Sequence, residues 1–457
     1  MTRKAVAAAN FRSPFPPLEL SVEDEAQLEG VAQLFVHNTI AQYQRYELHD
    51  KRVVDRDVWK FAKRQENIRV YVERHDKDIC KRQRRRYREF HAHYSDALYP
   101  DTESTAASCS PMSGASHSSQ QRHFAPKARS AVDLPVVMVV GTMEGTVQDV
   151  MLGAVNTTVD AMRVKTAYVD DAFVGGAVLA TLITPTPDDP FRSLSIKWLE
   201  KGQPLHLGAF LKNRDSVILE STGVTRLANG EAVGYVLMHT VHFPQTQPLA
   251  STTRGNMSVC CLVRQHSPTT VDVFLKGYVN PASGLMRAIV VKSTVQGMYS
   301  VWKYVHYGRM KKLAWALAQQ NECSIEQIRD GDSSHSTDSR SSCCVTCQSR
   351  ARRPRFFLAS KSKSHRATCK LCFQVACSKC AITQHMSYVT VAGELQTNTV
   401  TLCALCIHVA MIETDTLTVA SALVAAAMPA LPLMKNFFTV SSMAVSDKSL
   451  FEHAAPW

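Results

Sequence analysis

The stretch that decides the fold of the C-terminal region is CKLCFQVACSKC, residues 369–380. It contains two CxxC pairs, Cys369/Cys372 and Cys377/Cys380, with four residues between them. A CxxC turn lets two sulfur atoms point at one ion, and two such pairs complete a tetrahedral site of the kind that holds structural zinc. Four thiolates leave no coordination position for water, so the spacing indicates a metal that stabilises the fold and not a catalytic one.

Two further CxxC pairs flank this stretch, Cys344/Cys347 before it and Cys403/Cys406 after it. Together the four pairs supply eight thiolates, enough for two Zn²⁺ ions. Cys343 is not predicted to be a metal ligand, because it is Cys344 that forms a CxxC pair with Cys347. Nine of the chain's fourteen cysteines lie between residues 343 and 406. This clustering predicts a local metal site in a reducing compartment and not a disulfide scaffold.

The cysteine framework resembles the FYVE zinc finger. Its second and third pairs form C-x2-C-x4-C-x2-C, and a long gap separates them from the pair on either side. A RING ubiquitin-ligase finger would ordinarily place a histidine among its central ligands, whereas here eight cysteines suffice without His365 or His385. The resemblance implies a cross-brace, in which the first and third pairs hold one zinc ion and the second and fourth pairs hold the other.

FYVE fingers bind phosphatidylinositol 3-phosphate through a basic RRHHCR-type motif at the third cysteine. In this chain the segment is HRATCK, in which Arg366 and Lys370 keep basic positions while Ala367 and Thr368 replace both histidines. The family's upstream Trp-x-x-Asp is absent. The resemblance implies binding to anionic membranes, including those that contain phosphoinositides. The residues expected to contact such membranes are Arg352, Arg353, Arg355, His365, Arg366 and Lys370.

The larger N-terminal region has the pattern of an α+β domain. Ser21 is a suitable N-cap for a first helix, with Asp24 in its first turn. Residues 68–72 alternate apolar and polar side chains, as a half-buried strand does, and Thr146 is placed to cap a second helix. The strands predicted after it are Thr166–Val169, Gly176–Ile183, Ser193–Trp198, Val217–Thr222, Ala232–His242, Met257–Arg264 and Val271–Tyr278. A long final helix is predicted over about Gly284–Gln320.

This order of elements resembles the START lipid-binding domain. The local resemblance is carried by Trp59 with Val70, Tyr71 and Arg74, and by the RDSV strand opening at Arg214–Val217 with Glu220 beyond it. The resemblance implies a helix-grip fold, in which a curved antiparallel sheet surrounds a long C-terminal helix. It also implies a cavity between sheet and helix that holds a lipid or another apolar ligand.

The sequence divides the 457 residues into two folded regions. The predicted division is a START-like domain at 21–320 with a disordered insertion at about 100–130, a Ser-rich linker at 330–342, a FYVE-like finger at 343–412 and a tail at 413–457. The tail contains an uncharged apolar stretch, Leu417–Met434, which is close to the minimum length for crossing a bilayer but includes Pro429 and Pro432. The alternatives for it are a transmembrane segment and a packed or surface amphipathic segment.

The basic character of the chain is local. Its formal net charge is +12, from 52 Lys and Arg against 40 Asp and Glu. Residues 43–90 carry 16 basic and 9 acidic side chains, and residues 340–370 carry nine basic and no acidic ones. The remainder is therefore slightly acidic. Such a distribution favours a membrane-facing surface or a basic loop over binding of nucleic acid by the whole protein.

The leading hypothesis is a non-enzymatic lipid-binding protein. A START-like cavity would hold an apolar lipid, and the finger would recruit the protein to anionic membranes. The expected location is cytoplasmic, peripheral on endosomal or other membranes.

The alternatives are a scaffold whose zinc finger binds protein partners, and a nuclear or nucleic-acid-binding protein that uses the basic run at residues 81–88. Nucleic acid is not an expected partner, because no stacking platform or recognition helix accompanies that run. No G-x-S-x-G, P-loop or H-E-x-x-H motif occurs, which argues against an enzyme.

Overall fold

A computed structural model describes residues 12–74, 136–169, 171–202, 212–280, 295, 297, 299–329, 343–349 and 367–427. The predicted insertion at about 100–130, the linker at 330–342 and the basic run at 81–88 lie outside the described residues. So do five of the expected membrane contacts, Arg352, Arg353, Arg355, His365 and Arg366.

One large sheet dominates the N-terminal region. Its strands are β1 (Trp59–Gln65), β2 (Ile68–Glu73), β3 (Val136–Glu144), β4 (Phe173–Ile183), β5 (Ser193–Lys201), β6 (Arg214–Arg226), β7 (Ala232–Thr240), β8 (Thr253–Arg254), β9 (Asn256–Ser267) and β10 (Thr270–Asn280). The order across the sheet is β1-β2-β3-β10-β9-β7-β6-β5-β4, and all of these neighbours are antiparallel. The short β8 pairs parallel to β6, off this path.

The first helix covers one face of the sheet, called here the outer face. Helix α1 (Val22–Gln44) begins at Ser21, whose hydroxyl accepts a hydrogen bond from the Asp24 N–H at 3.1 Å. The Asp24 carboxylate accepts one from the Ser21 N–H in return, which completes a capping box and confirms the predicted start. The buried side of α1, including Leu28 and Val36, packs on alternate strand residues such as Leu219 and Leu237.

The opposite, inner face packs against three helices. They are α2 (Val147–Ala154), α3 (Val159–Val169) and α4 (Tyr304–Arg329). Thr146 caps α2 by accepting a hydrogen bond from the Asp149 N–H at 3.1 Å, as predicted. Apolar side chains of β2, β3, β9 and β10 form one core with α2 and the start of α4. A large antiparallel sheet against a C-terminal helix is the START-like arrangement that the sequence predicts.

Helices α2 and α4 cross at very short range, and two glycines make this possible. A Cβ atom on Gly153 would lie 2.1 Å from the carbonyl oxygen of Tyr304. A Cβ atom on Gly308 would lie 2.0 Å from the carbonyl oxygen of Asp149. Any larger residue at either position would therefore force the two backbones apart.

One predicted strand is wrong, and the predicted final helix is confirmed only in part. The strand predicted at Thr166–Val169 is the last turn of α3, because Met162, Lys165 and Val169 are buried at the three- and four-residue spacing of a helix. The final helix does not run continuously from Gly284. Residues 281–294 lie outside the described residues, and Tyr299–Lys303 forms a 3₁₀ turn that leads into α4 at Tyr304.

The cysteine-rich region forms a small module against α4. Its elements are β11 (Ala367–Thr368), β12 (Val375–Ala376), the hairpin β13 (Ala381–Val389) and β14 (Leu395–Cys403), and helix α5 (Ala404–His408), which continues as a π-helical turn over Val409–Glu413. Met310, Leu313 and Leu317 of α4 share one apolar core with the module, which contributes Met386, Val400, Leu402 and Met411. The Tyr168 hydroxyl of α3 accepts a hydrogen bond from the Ser387 N–H at 2.7 Å. The module is therefore packed onto the sheet domain.

The first part of the apolar tail is helix α6 (Thr416–Ala427), which packs against α2 and α4. Val419 and Ala420 are buried in the core around α2, and the Thr416 hydroxyl donates to Asp149 at 2.8 Å. Residues 428–457 lie outside the described residues.

No single helix in the described ranges is long and apolar enough to span a membrane. The helical segments Ala404–Glu413 and Thr416–Ala427 pass the test of length and composition only as a pair, and they are bent by 81° relative to each other.

Candidate functional site

The structure brings the eight cysteine sulfur atoms together in two groups of four. Cys344, Cys347, Cys377 and Cys380 form one group, and Cys369, Cys372, Cys403 and Cys406 form the other. The first and third pairs thus share one group and the second and fourth pairs the other, which is the grouping of a cross-brace. Cys343 and His385 belong to neither group. None of the described cysteines forms a disulfide.

The geometry of each group fits one tetrahedral ion. All four sulfur atoms of a group lie within 4.8 Å of one another. The Cys347 and Cys377 sulfurs are 3.7 Å apart, and the Cys372 and Cys403 sulfurs are 3.9 Å apart. Sulfurs at ~2.3 Å from a tetrahedral zinc ion lie about 3.8 Å from each other. Each group therefore has a spacing compatible with one tetrahedral metal ion.

The close packing of the sulfur atoms in the first group shifts the pKa values of its thiols in opposite directions. Backbone N–H groups of Cys347 and Cys377 lower the pKa of the Cys344 thiol to about 6. In the same group, the hydrogen bond to the Cys377 sulfur raises the pKa of Cys380 to about 12. Thiolates this close together repel, so all four ionise together only when a bound cation neutralises them.

Of the expected membrane contacts, Lys370 is the one within the described residues. It is exposed in the turn that follows Cys369, and its N–H donates to the Thr401 carbonyl at 3.1 Å. Phe373, after Cys372, is 52% exposed at the tip of the same turn. Lys379 is exposed between the ligands of the neighbouring pair.

The two RDSV-region carboxylates lie on opposite faces of the sheet. Asp215 is fully buried on the outer face, where it accepts hydrogen bonds from Trp198 Nε1 at 3.0 Å, Thr252 Oγ1 at 2.8 Å and Arg254 Nε at 2.9 Å. Its role is structural, because it ties β5 and β6 to the segment around β8. Glu220 points to the inner face, toward the helices.

Glu220 belongs to a group of charged side chains inside the sheet domain. The ammonium groups of this inner lysine cluster come from α3, β5 and α4, and they are those of Lys165, Lys197, Lys201 and Lys311. Lys197 is fully buried, pairs with Glu220 and donates to the Asn156 carbonyl at 2.8 Å. Lys165 pairs with Asp171 at 3.0 Å.

Burial controls the ionisation of this cluster. Desolvation lowers the pKa of Lys197, against the opposing charge of Glu220. Desolvation and the neighbouring charges of Lys165 and Lys197 lower the pKa of Lys311 to about 7. For Lys165, desolvation is outweighed by Asp171, and the net pKa is raised. Charged groups in the interior are expensive unless they are paired. The two buried lysines, Lys165 and Lys197, are paired, whereas Lys201 and Lys311 are half-buried.

Sequence reasoning located the cysteine groups but missed the inner lysine cluster. Cysteine spacing is readable because CxxC is a local motif. The lysines come from three separate elements, and nothing in the local sequence separates them from surface lysines. The signal in the sequence was the alternation of polar and apolar residues in SLSIKW, residues 193–198, which places Lys197 on one face of the strand with Ser193 and Ser195. The structure adds that Glu220 of the next strand pairs with Ser195.

No protein-family model matches the chain, and no curated protein matches it. Solved structures with some similarity include human StAR-related lipid transfer protein 5, at 13% identity over 62% of this chain and 98% of that one, with a TM-score of 0.37. Human STARD10 has 11% identity over 57% of this chain and 78% of that one, with a TM-score of 0.33. A STAR-related lipid transfer protein from Xanthomonas axonopodis has 15% identity over 55% and 99%, with a TM-score of 0.32. Because each TM-score is below 0.5, nothing about this chain is inferred from these similarities.

Proposed function

We propose that this chain is a non-enzymatic lipid-binding protein whose ligand lies between the inner face of the sheet and α4. The observation that carries the proposal is the chemistry of that face. Apolar side chains line it on several strands, and a small set of buried polar groups interrupts them. Sites for small molecules have this composition, with an apolar wall for the body of the ligand and few polar groups to orient it.

Native mass spectrometry of the purified full-length chain tests the proposal. We expect a bound lipid that is released on denaturation and identified by extraction. The substitution Ile218→Trp places a larger side chain on the inner face, where Ile218 is fully buried, and is expected to reduce the bound fraction. Val224→Trp is the matched control on the same strand, at a position that is 44% exposed. A chain that carries no lipid as purified, and takes up none from a lipid mixture, would overturn the proposal.

We further propose that both cysteine groups hold Zn²⁺, and that the two ions are structural. The support is the all-thiol donor set, which suits zinc, together with the sulfur spacings. When bound, zinc would hold together a module that has little apolar core of its own. Metal analysis of the full chain should give two zinc ions per molecule, and one for Cys369→Ser. One or none in the unsubstituted protein would contradict the two-ion assignment, and Cys343→Ser serves as the control outside both groups.

The module is proposed to recruit the protein to anionic membranes, on endosomes or elsewhere in the cytoplasm. Exposed Lys370 and Lys379 flank exposed Phe373, which combines attraction to acidic headgroups with an aromatic side chain suited to the interface. Arg352, Arg353, Arg355, His365 and Arg366, which precede Lys370 in the sequence, would add to this charge.

Vesicle flotation with the full chain tests recruitment. Binding is expected to vesicles with phosphatidylserine or phosphatidylinositol 3-phosphate and not to neutral phosphatidylcholine vesicles. The triple variant Arg352→Glu, Arg353→Glu, Arg355→Glu should lose most of this binding, because each basic residue near the surface contributes about 1 kcal/mol. Lys60→Glu is the control, because it changes the charge of an exposed residue on β1, outside the cysteine module, and should leave flotation nearly unchanged. Equal flotation of the triple variant would rule out the membrane role of these arginines.

A protein-interaction scaffold is the second candidate function, and one surface favours it. Leu405, Val409 and Ile412 are exposed at spacings of four and three residues along one side of the helical segment 404–413. Exposed apolar side chains in a row are typical of a surface that binds a partner. On this alternative, the unsubstituted chain would bind a protein partner and would not float with vesicles. The double variant Leu405→Asp, Ile412→Asp would lose the binding to that partner.

A further inference from the structure

The hairpin of β1 and β2 carries two arginines directly opposite each other. Arg64 of β1 pairs with Arg69 of β2, and both side chains are exposed. Arg69 alternates with Ile68 and Val70, which are buried in the core of the inner face, so both arginines lie on the outer face. Like charges at directly opposed positions of a sheet repel each other. The Arg64 Nε donates to the Glu66 carbonyl at 2.7 Å, and among the described residues no carboxylate lies within ion-pair distance of either guanidinium.

An aromatic pair lies next to the arginine pair on the same face. Phe61 is directly opposite Tyr71, and their ring centroids are 5.9 Å apart. Tyr71 is two residues from Arg69, which places the two pairs about 7 Å apart along the strands. Phe61 is 53% exposed. Trp59 is the next aromatic residue on this side of β1, and the Lys276 ammonium lies 5.5 Å from its ring centre. The face therefore combines open aromatic surface with positive charge.

This combination fits a ligand that has both phosphate groups and flat rings. Arginine guanidinium groups bind phosphate oxygens through paired hydrogen bonds, and exposed aromatic rings stack on nucleobases. Sheets that carry aromatic residues on adjacent strands bind single-stranded nucleic acid in this way. The hairpin is also basic as a whole, because residues 59–74 contain five basic and two acidic side chains. The sequence then continues toward the basic run at residues 81–88.

Two other ligands fit this face less well. A membrane interface needs apolar side chains on the part of the protein that enters it. The turn of the hairpin instead consists of Glu66 and Asn67 after Gln65, all of them polar and exposed. A free mononucleotide needs a concave site that surrounds it, whereas Phe61 and Arg69 lie on an open surface. A strand of several nucleotides gains its affinity from repeated contacts along such a surface.

We propose that the outer face of the β1–β2 hairpin binds single-stranded nucleic acid, with Arg64 and Arg69 on its phosphates and Phe61 stacked on a base. This activity is independent of the proposed lipid site, which lies on the inner face, and of the membrane-binding surface of the cysteine module. The sequence alone shows no stacking platform, because Phe61 and Tyr71 come from two strands and only the pairing of β1 with β2 brings them together.

Fluorescence anisotropy with the full chain tests this inference. The probe is a fluorescein-labelled oligouridylate of about 12 nucleotides, titrated at salt concentrations between about 50 and 200 mM. Phe61→Ala should weaken binding about tenfold, which equals about 1.4 kcal/mol, and leave the salt dependence unchanged, because a stacked ring releases no counterions. Arg69→Gln should lower the slope of log affinity against log salt by about 0.7, the value of one phosphate contact. Phe61→Tyr, which keeps an aromatic ring, should retain most of the affinity.

Phe373→Ala is the matched control, because Phe373 is 52% exposed but belongs to the cysteine module, and it should bind the oligonucleotide as the unsubstituted chain does. Circular dichroism of each variant establishes that it is folded. Absence of binding, or equal affinity of the unsubstituted chain and folded Phe61→Ala, would overturn the proposal. Flotation with phosphatidylserine vesicles that is lost in Phe61→Ala, without oligonucleotide binding, would also overturn it and assign the face to a membrane.

Discussion

At the scale of the residue, His239 on the outer face of the sheet is expected to make the stability of the fold depend on pH. Its ring packs against Phe35 with centroids 4.2 Å apart, and Nδ1 shares a hydrogen bond with the Ser258 hydroxyl at 3.1 Å. Burial, and then the nearby His242, lower the pKa of His239 to about 4. The folded chain therefore holds a neutral imidazole at pH values where an unfolded chain, with a pKa near 6.5, becomes protonated.

We expect this residue to make folding pH-dependent between about 6.5 and 4. In that window the unfolded state binds more protons, so the free energy of unfolding falls as the pH is lowered, and above the window His239 contributes no pH dependence. The expected contribution is on the order of 1–2 kcal/mol. Urea titrations at pH 7.0 and 4.5 should show a smaller difference for His239→Gln than for the unsubstituted chain.

His385→Gln, at an exposed position on β13, is the control for that experiment and should leave the difference unchanged. An identical pH dependence for His239→Gln and the unsubstituted protein would show that other groups are responsible.

Lys197 shows why single residues of the interior escape prediction from sequence. On β5 it alternates with Ile196 and Trp198, and such alternation usually places the polar residues in water. Here α2, α3 and α4 cover that face, and Lys197 is fully buried. The strand itself was predictable from its local pattern, whereas the covering of its polar face depends on helices that come from elsewhere in the chain.

At the scale of the element, the crossing of α2 and α4 depends on Gly153 and Gly308. We expect Gly308→Ala to lower the free energy of unfolding by about 2 kcal/mol or more, because the added methyl group must separate two backbones in contact. Thermal or urea denaturation followed by circular dichroism measures the loss. Lipid uptake should fall as well, since α4 forms one side of the proposed site.

Gly30→Ala is the matched substitution within a helix. Gly30 is exposed on α1, and a Cβ atom added there would meet no neighbouring atom within 4 Å. Alanine there should raise stability by about 0.5–1 kcal/mol, because it favours the helix without meeting a neighbour. Equal effects at the two glycines would mean that the backbones of α2 and α4 are not held in direct contact.

Element prediction succeeded where the periodicity was long and failed where it was short. The capped helices α1 and α2 and most strands of the sheet followed from caps and alternation. The four residues Thr166–Val169 are rich in β-branched and aromatic side chains, which favours a strand locally. Burial of Met162 and Lys165 in the same helix overrides that preference, and the ion pair between Lys165 and Asp171 is a tertiary contact that no local pattern shows.

At the scale of the whole molecule, the cysteine module and α6 hold α4 from outside the sheet domain. Leu313 of α4 is fully buried within the core it shares with the module, and Lys312 contacts both Asp149 and Thr416. We expect removal of metal by a chelator to loosen α4 as well as the module. Hydrogen exchange should show lost protection at residues 304–320, with little change in the central strands of the sheet.

Restoring zinc should restore that protection, and Cys343→Ser should behave as the unsubstituted chain does. Retained protection of α4 after the metal has left would show that the module and the helix are energetically independent.

The division into a sheet domain and a cysteine module was predictable because each has its own local pattern. Their packing was not, because its contacts join Met310 and Leu313 to Met386 and Leu402, which are far apart in sequence. Both pairs of residues appear in sequence as ordinary apolar positions.

The position of α6 has a mechanical consequence. It packs against α2 and α4 through Val419, Ala420 and Leu423. Its hydrogen bonds to the rest of the chain include those of Thr416 to Asp149 and of the Ser421 hydroxyl to the Pro187 carbonyl at 2.6 Å. A force applied through the chain beyond residue 427 is borne first by these few contacts, before it reaches the cysteine groups. Under load α6 should therefore detach as a separate early event, uncovering the Asp149–Lys312 ion pair while the sheet is still intact.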